Sequence, residues 1–210
     1  MTQLHLRRAT EADAAGVLAI YGPAVRDTAI SFEEVAPSEA ELAARITTVG
    51  GQFPWLIAER DGQVAGYAYA GAFRARAAYR WTVESSVYVH ADHRRAGVAR
   101  RLMEALIDVL RALGYRTLVA GATMPNDVSV RLHEALGFTL VGTFPNVGHK
   151  HGGWHGVRFW TLDLGELQRD APPRPIDALE DLALRLARHA APTASITARD
   201  AGGQGRTSST

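Results

Sequence analysis

The chain contains no cysteine, which rules out a disulfide framework, a thiol nucleophile and cysteine-ligated zinc. It has a single lysine, Lys150, and no glycine-rich loop precedes it. A phosphate-loop lysine is therefore excluded and a Schiff-base lysine disfavoured. No apolar run approaches the roughly 18 residues of a membrane span. Met1-Thr-Gln-Leu4 carries neither the charged nor the apolar region of a secretion signal. These absences predict a cytoplasmic protein without a membrane partner. Charge of one sign is lacking too: 23 Lys and Arg face 22 Asp and Glu, a formal net charge of +1, so nucleic acid is not a favoured partner. The 210 residues suffice for one domain with a sizeable core plus an appendage, not for two full domains.

What is present reads as alternating strands and helices. Leu4 to Arg8 alternates like a half-buried strand, and Thr10-Glu-Ala-Asp13 resembles a capping box before a helix with Val17, Leu18, Tyr21 and Val25 inward. Ser38-Glu-Ala-Glu41 opens a second helix carrying Leu42, Ile46 and Val49. An irregular segment containing Phe32 lies between them. Trp55 to Arg60, Asp61-Gly62 and Gln63 to Tyr69 predict a hairpin, and Trp81 to Val89 the next strand. A helix from about Ala99 to Leu113 follows, with Leu102, Leu106, Val109 and Leu113 inward and Gly114 ending it. Thr117 to Ala122 is a strand. Asp127 or Asn126 caps a helix reaching Leu136, and Phe138 to Thr143 and Val157 to Leu164 are the last strands. The order βααβββαβαββ predicts an α/β layered domain, a mixed sheet with helices on both faces, over residues 1–171. Pro172-Pro-Arg-Pro175 then breaks the chain. A short helix is expected over Ile176 to His189, carrying Leu179, Leu182 and Leu186 on one side as a terminal or subunit-docking element. A disordered tail is expected from Ala190 onward.

The most informative stretch joins the Trp81–Val89 strand to the following helix: His93-Arg94-Arg95-Ala96-Gly97-Val98-Ala99-Arg100-Arg101. A helix start leaves about four backbone N–H groups unpaired and carries roughly half a positive charge, so it accommodates phosphate. Gly97 and Ala99 allow close backbone approach, and Arg94, Arg95, Arg100 and Arg101 raise the local potential. In the strand itself Glu84, Ser86 and Tyr88 share one face, and Val83, Ser85, Val87 and Val89 the other. A carboxylate in such a strand is a candidate base close to the loop.

The spacing R-x-x-G-x-A resembles the acyl-CoA pyrophosphate loop of the GNAT N-acetyltransferases. Asn126-Asp-Val-Ser129, His133 and Gly137-Phe138 resemble a second GNAT motif in the expected order. Pro54-Trp55-Leu, Arg74-Ala-Arg76-Ala-Ala-Tyr79-Arg-Trp81-Thr-Val-Glu84-Ser, His149-Lys-His151-Gly-Gly-Trp154-His155 and Phe159-Trp160 narrow the resemblance to the phosphinothricin and methionine sulfoximine acetyltransferase family, over residues 4–175. The resemblance implies the GNAT fold, with a mostly antiparallel sheet, and acetyl-CoA as co-substrate. It implies acetylation of the α-amino group of a compact amino-acid-like acceptor and a homodimer, without metal. It also assigns roles: Glu84 as general base, with His133 as its partner or as general acid. Val87, Tyr88, Val89, Arg94, Arg95, Ala96, Gly97, Val98, Ala99, Arg100, Asn126 and Ser129 would hold the co-substrate. Phe32, Arg74, Arg76, Tyr79 and Tyr88 would hold the acceptor. Val83-Glu84-Ser85-Ser86 and Gly152-Gly153-Trp154-His155-Gly156 depart from the family pattern near the acceptor pocket. Acetylation of a protein N-terminus or polyamine, and a non-catalytic acetyl-CoA-binding role, remain as alternatives.

Overall fold

The sheet positions everything that follows. In the computed structural model, which describes residues 3–165 and 171–190, seven strands pair in the order β1-β2-β3-β4-β5-β7-β6. They are β1 His5–Arg8, β2 Trp55–Arg60, β3 Gln63–Ala72, β4 Thr82–Val89, β5 Thr117–Thr123, β6 Thr139–Lys150 and β7 Gly153–Asp163. Every neighbouring pair is antiparallel except β4 and β5, which are parallel. The helices among the described residues are α1 Ala14–Asp27, α2 Glu39–Gly50, α3 Val98–Leu113, α4 Asp127–Ala135 and α5 Leu182–Ala190. This is the expected mixed α/β sheet covered on both faces.

Strand alternation sorts the side chains into two cores. Leu6, Leu56, Ala68, Val83, Leu118 and Trp160 pack with Leu102, Leu106 and Leu110 of α3 on one face. Trp55, Ile57 and Tyr67 pack with Val17, Tyr21 and Val25 of α1 and Leu42 and Ile46 of α2 on the other. Ser38 accepts from the Glu41 N–H at 3.2 Å while the Glu41 carboxylate accepts from the Ser38 N–H at 2.7 Å, so the second capping box forms in full. Before α1, a single 3-10 turn intervenes at Glu11–Asp13. Burial works against charge on Asp13, but hydrogen bonds from Arg7 and Thr10 outweigh it and hold its carboxyl below the ordinary value.

Gly66 explains how the start of α3 comes so close to the sheet. A Cβ there would lie 2.9 Å from the Tyr88 carbonyl oxygen and 3.0 Å from Val98 Cγ1. Any side chain would push the first turn of α3 off β3 and β4.

Two expectations change. The last hairpin is longer than the predicted strands, running through β6 and β7 to a turn at His151 and Gly152, with φ of 51° and 74°. Pro145 masked it in the sequence. Because β6 is an edge strand, its missing N–H costs no ladder bond, and the register simply shifts between Phe144 and Gly148. The expected helix over 176–189 is a 3-10 turn, Ile176–Ala178, followed by α5. Ile176, Leu179, Leu186 and Ala190 are buried in the α3-side core, so this face is occupied by the chain's own residues. Arg185 pairs with Asp108 of α3 at 2.9 Å. Ala190, expected to begin the disordered tail, instead ends α5 and is buried, and the rest of that tail lies outside the described residues.

Candidate active site

The parallel ladder between β4 and β5 stops early. It runs from Thr82–Thr117 to Ser85–Ala120, although β4 continues to Val89 and β5 to Thr123. Beyond Ser85 the two strands part, and the opening is lined by Ser86, Val87 and Tyr88 on one side and Gly121, Ala122 and Thr123 on the other. From α4, Asn126, Ser129 and His133 close it below; Ile30 reaches it from the α1–α2 loop. A gap in a sheet exposes strand backbone that would otherwise be paired, so it is a place where an extended, amide-bearing ligand can complete the hydrogen bonding.

At the C-terminal end of β4 the loop turns into α3 as the spacing predicted. Arg95 and Gly97 take positive φ, 60° and 75°, and nothing lies within 4 Å of the position a Gly97 Cβ would occupy. Intrahelical bonding starts with Arg101 N–H donating to the Gly97 carbonyl at 3.1 Å. The N–H groups of Val98, Ala99 and Arg100 thus have no i−4 partner within α3 and are left for an anion. Arg94, Arg95, Ala96 and Gly97 are exposed around this turn, whereas the Val98 side chain is buried beneath it. Among the described residues neither Arg94 nor Arg95 forms an ion pair. Arg100 pairs with Glu104 at 2.8 Å, and Arg101 turns away to donate to the Ala190 carbonyl at 3.4 Å.

Asn126, not Asp127, caps α4. Its Oδ1 accepts from the Ser129 N–H at 3.0 Å, which leaves the amide NH2 as a donor at the gap. Glu84 sits opposite Gly71 on β3 and beside Val119 on β5, on the α1–α2 face, with Oε1 3.4 Å from a Cβ built on Gly121. Burial pushes its carboxyl above the ordinary value, and the charge of Arg74 pulls the other way. Gly121 both lines the gap and borders Glu84, so the carboxyl lies at the gap's edge.

His133 is placed differently from the pairing the resemblance implied. It is buried on the α3 side, stacked on Trp160 at 5.0 Å between centroids and edge-on to Phe138 at 5.1 Å. Neighbouring β7 residues explain the separation. Phe159 would meet the Gly121 Cβ on the Glu84 face, and Trp160, one residue on, points to the opposite face. Glu84 and His133 approach the gap from opposite sides of the sheet, so the imidazole is no direct hydrogen-bond partner of the carboxylate. Burial holds its pKa below the ordinary value, partly opposed by the Ser129 backbone, and Nδ1 is buried without a hydrogen-bond partner.

The expected acceptor residues fall into two groups. Tyr88 is stacked on Tyr67 at 5.3 Å, meets Tyr21 edge-on at 5.2 Å and lines the gap; burial raises its hydroxyl pKa. Phe32 covers Gly148 on β6 and faces His155 at 6.3 Å. Arg74, Arg76 and Tyr79 instead line an open cavity of about 430 Å³, together with Arg80, Phe53, Tyr115 and Pro172 to Pro175. Among the described residues no carboxylate lines it. Arg74 connects the groups: its guanidinium lies over the Phe73 ring at 4.5 Å, and its charge acts on Glu84. Gly121 and Thr123 reach the gap only through strand pairing and Ile30 through the packing of the α1–α2 loop, so neither placement was legible in the sequence.

The histidines of the β6–β7 tip are otherwise engaged. His151 Nε2 lies 3.2 Å from the Thr28 carbonyl, His155 Nε2 is 3.0 Å from the Lys150 carbonyl, and His149 packs on Trp154. Among the described residues no group of three or more His, Asp or Glu could hold a metal ion. No helix of the described residues is long and apolar enough to cross a membrane.

A strand gap beside a helix start open to anions is the architecture of an acyl-CoA-dependent transferase, and the profile of the acetyltransferase (GNAT) domain matches residues 6–156. The chain belongs to the GNAT acetyltransferase family. It is 43% identical over 173 residues to a phosphinothricin N-acetyltransferase of Streptomyces viridochromogenes, covering 82% of this chain and 93% of that one. It is 39% identical over 162 residues to the L-methionine sulfoximine/L-methionine sulfone acetyltransferase of Salmonella typhimurium, covering 77% and 95%. Among solved structures, a GNAT phosphinothricin acetyltransferase of Sinorhizobium meliloti in complex with acetyl-CoA superposes with a TM-score of 0.76 at 39% identity, covering 81% of this chain and 93% of that one. The resemblance and fold expected from the motifs are both borne out.

Proposed function

We propose that the protein transfers the acetyl group of acetyl-CoA directly to the α-amino group of a compact, anionic amino acid of the phosphinothricin or methionine sulfoximine kind. The observation that carries this reading is the gap between β4 and β5, with free N–H groups at the start of α3 on one side and the half-buried Glu84 carboxyl at its edge. The residues present fit the co-substrate. Val98, Ala99 and Arg100 offer N–H groups to a pyrophosphate, Arg94 and Arg95 add charge, and Asn126 donates toward an amide-bearing arm laid between Val87–Val89 and α4. When bound, acetyl-CoA supplies the activated acyl carbon.

An α-ammonium has no lone pair, so it must lose a proton before it can attack. Glu84 takes that proton, directly or through one water, and its raised pKa brings it closer to that of the amine it serves. Arg74, fork-shaped and always charged, receives the acceptor's anionic group beside Glu84; Arg76 and Tyr79 extend the cationic wall into the adjoining cavity. Phe32 and Tyr88 border the acceptor's side chain. Backbone N–H groups at the end of β4 polarise the thioester carbonyl. His133, kept neutral by burial, is suited to a hydrogen bond near the departing sulfur rather than to donating an imidazolium proton.

We also infer a homodimer. Strand β6 is a sheet edge, and it presents Leu140, Val141, Phe144 and Val147 to solvent, with Trp154 exposed on β7. Such an apolar stripe on an edge is the kind of surface that a second copy covers. Reliance on acetyl-CoA supports a cytoplasmic location.

The test is mass spectrometry after incubation with acetyl-CoA and an acceptor panel: phosphinothricin, methionine sulfoximine, methionine sulfone, an alanine-terminated peptide and spermidine. The reading expects a gain of one acetyl group on the amino acids. Acetylation of the peptide or spermidine alone, or of nothing, overturns it.

A further inference from the structure

Lys150, the only lysine of the chain, is 6% exposed. A buried ammonium needs an ion pair or strong hydrogen-bond acceptors to offset its lost hydration. Among the described residues it forms no ion pair; instead Nζ donates to the carbonyls of Val25 at 2.6 Å and Ser31 at 2.7 Å. Val25 lies in the last turn of α1, where carbonyls lack helical donors and the helix end favours a cation. Ser31 lies beyond that helix, in the loop that leads to α2. One ammonium therefore pins both ends of the segment from Val25 to Ser31.

The contacts around it converge on the same junction. His151 reaches the Thr28 carbonyl, and His155 supports the Lys150 carbonyl from below. The Phe32 ring rests on Gly148, where a Cβ would lie 2.3 Å from ring carbons. Ser31 also hydrogen-bonds the Tyr21 hydroxyl at 2.8 Å, and the Tyr21 ring meets Tyr88 edge-on. The fastened segment ends in residues of the site: Ile30 at the gap and Phe32 against the hairpin.

We propose that Lys150 is a positioning residue for acceptor recognition, latching the α1–α2 loop to the tip of the β6–β7 hairpin so that Ile30 and Phe32 form a fixed wall. The proposal rests on the acceptor reading given above. The latch touches neither the turn at Gly97 nor Asn126, and Phe32 does not line the gap, so its loss should act on acceptor binding far more than on acetyl-CoA, which Ile30 only borders. It acts through the loop, not on the reacting atoms.

Lys150→Met keeps the length and removes the donors. The expected result is a KM for the acceptor raised tenfold or more, a KM for acetyl-CoA within twofold of the parent, and faster hydrogen–deuterium exchange over residues 28–33 with exchange over 98–101 unchanged. Equal changes in both KM values, or none in the acceptor's, overturn the proposal. If Lys150→Met does not fold, His151→Ala, which removes one exposed tie, should raise the acceptor KM about threefold without affecting acetyl-CoA; no change overturns the latch. Should the parent protein acetylate no member of the panel, the functional reading falls. The exchange measurement then decides the latch alone, and unaltered exchange over 28–33 in Lys150→Met refutes it.

Discussion

Replacing Glu84 by Gln keeps the volume against Gly121 and Phe159 and removes only the ability to hold a proton. General-base catalysis is worth about 10²–10⁴ in rate. An acceptor amine with a pKa of about 8 is already neutral in roughly one molecule in ten at pH 7, and these need no base. The loss at pH 7 should therefore fall just below that range, about tenfold in kcat, or about 1.4 kcal/mol of barrier. The deficit also has a predictable pH dependence. Without Glu84 the reaction draws only on free amine, which drops roughly tenfold for each pH unit below 8. The parent enzyme can move the ammonium proton onto its own carboxylate until the pH falls to the raised pKa of Glu84. The ratio of parent to variant should thus grow as the pH falls from about 8 toward the raised pKa of Glu84. Release of free coenzyme A thiol followed with a chromogenic disulfide measures it, and titration calorimetry should show acetyl-CoA binding within twofold of the parent. A kcat reduced less than threefold at pH 7, or a deficit constant with pH, would remove Glu84 from the mechanism.

Arg74 lowers the Glu84 pKa, so Arg74→Gln should move the acid limb of the rate profile to higher pH and raise the acceptor KM; an unmoved limb would show that the two groups do not communicate. Gly97→Ala meets no atom within 4 Å but must hold φ near 75°, so its cost is conformational. That cost is about 1–2 kcal/mol, and it should appear in calorimetry as acetyl-CoA affinity weakened roughly 5–30-fold if the turn relaxes when free. His133 has a folded pKa below its unfolded value of about 6.5. The unfolded chain then binds the extra proton first, so stability is full above about pH 6.5 and declines as the pH falls toward the folded pKa. Thermal melts of His133→Phe should show a shallower decline between pH 6.5 and 5 than the parent, and parallel curves would contradict the burial argument.

Local chemistry made much of the fold legible. The Ser38 and Glu41 box, the Asp61-Gly62 turn, the stripe of α3 and Gly114 as its end are all set by neighbours within a turn or two, and each stands where the residues predicted. The gap was not legible, because it depends on where two strands far apart in sequence stop pairing. His133 illustrates the same limit: its position in the motif was clear, but the face it occupies is decided by Trp160 on another strand. Pro145 hid the long hairpin, since the alternation rule does not say which strand will end at a sheet edge. The burial of α5 was similarly invisible, for an amphipathic stripe does not name the surface that covers it.

The interment of Lys150 has a chemical corollary. Thioesters acylate exposed amines without help, and a protein that keeps one bound is the first target within reach. This chain carries its surface positive charge on guanidinium groups, which are poor acyl acceptors, and its one lysine side chain is withdrawn behind two carbonyls. Prolonged contact with its own co-substrate should leave the folded protein's side-chain amine unmodified.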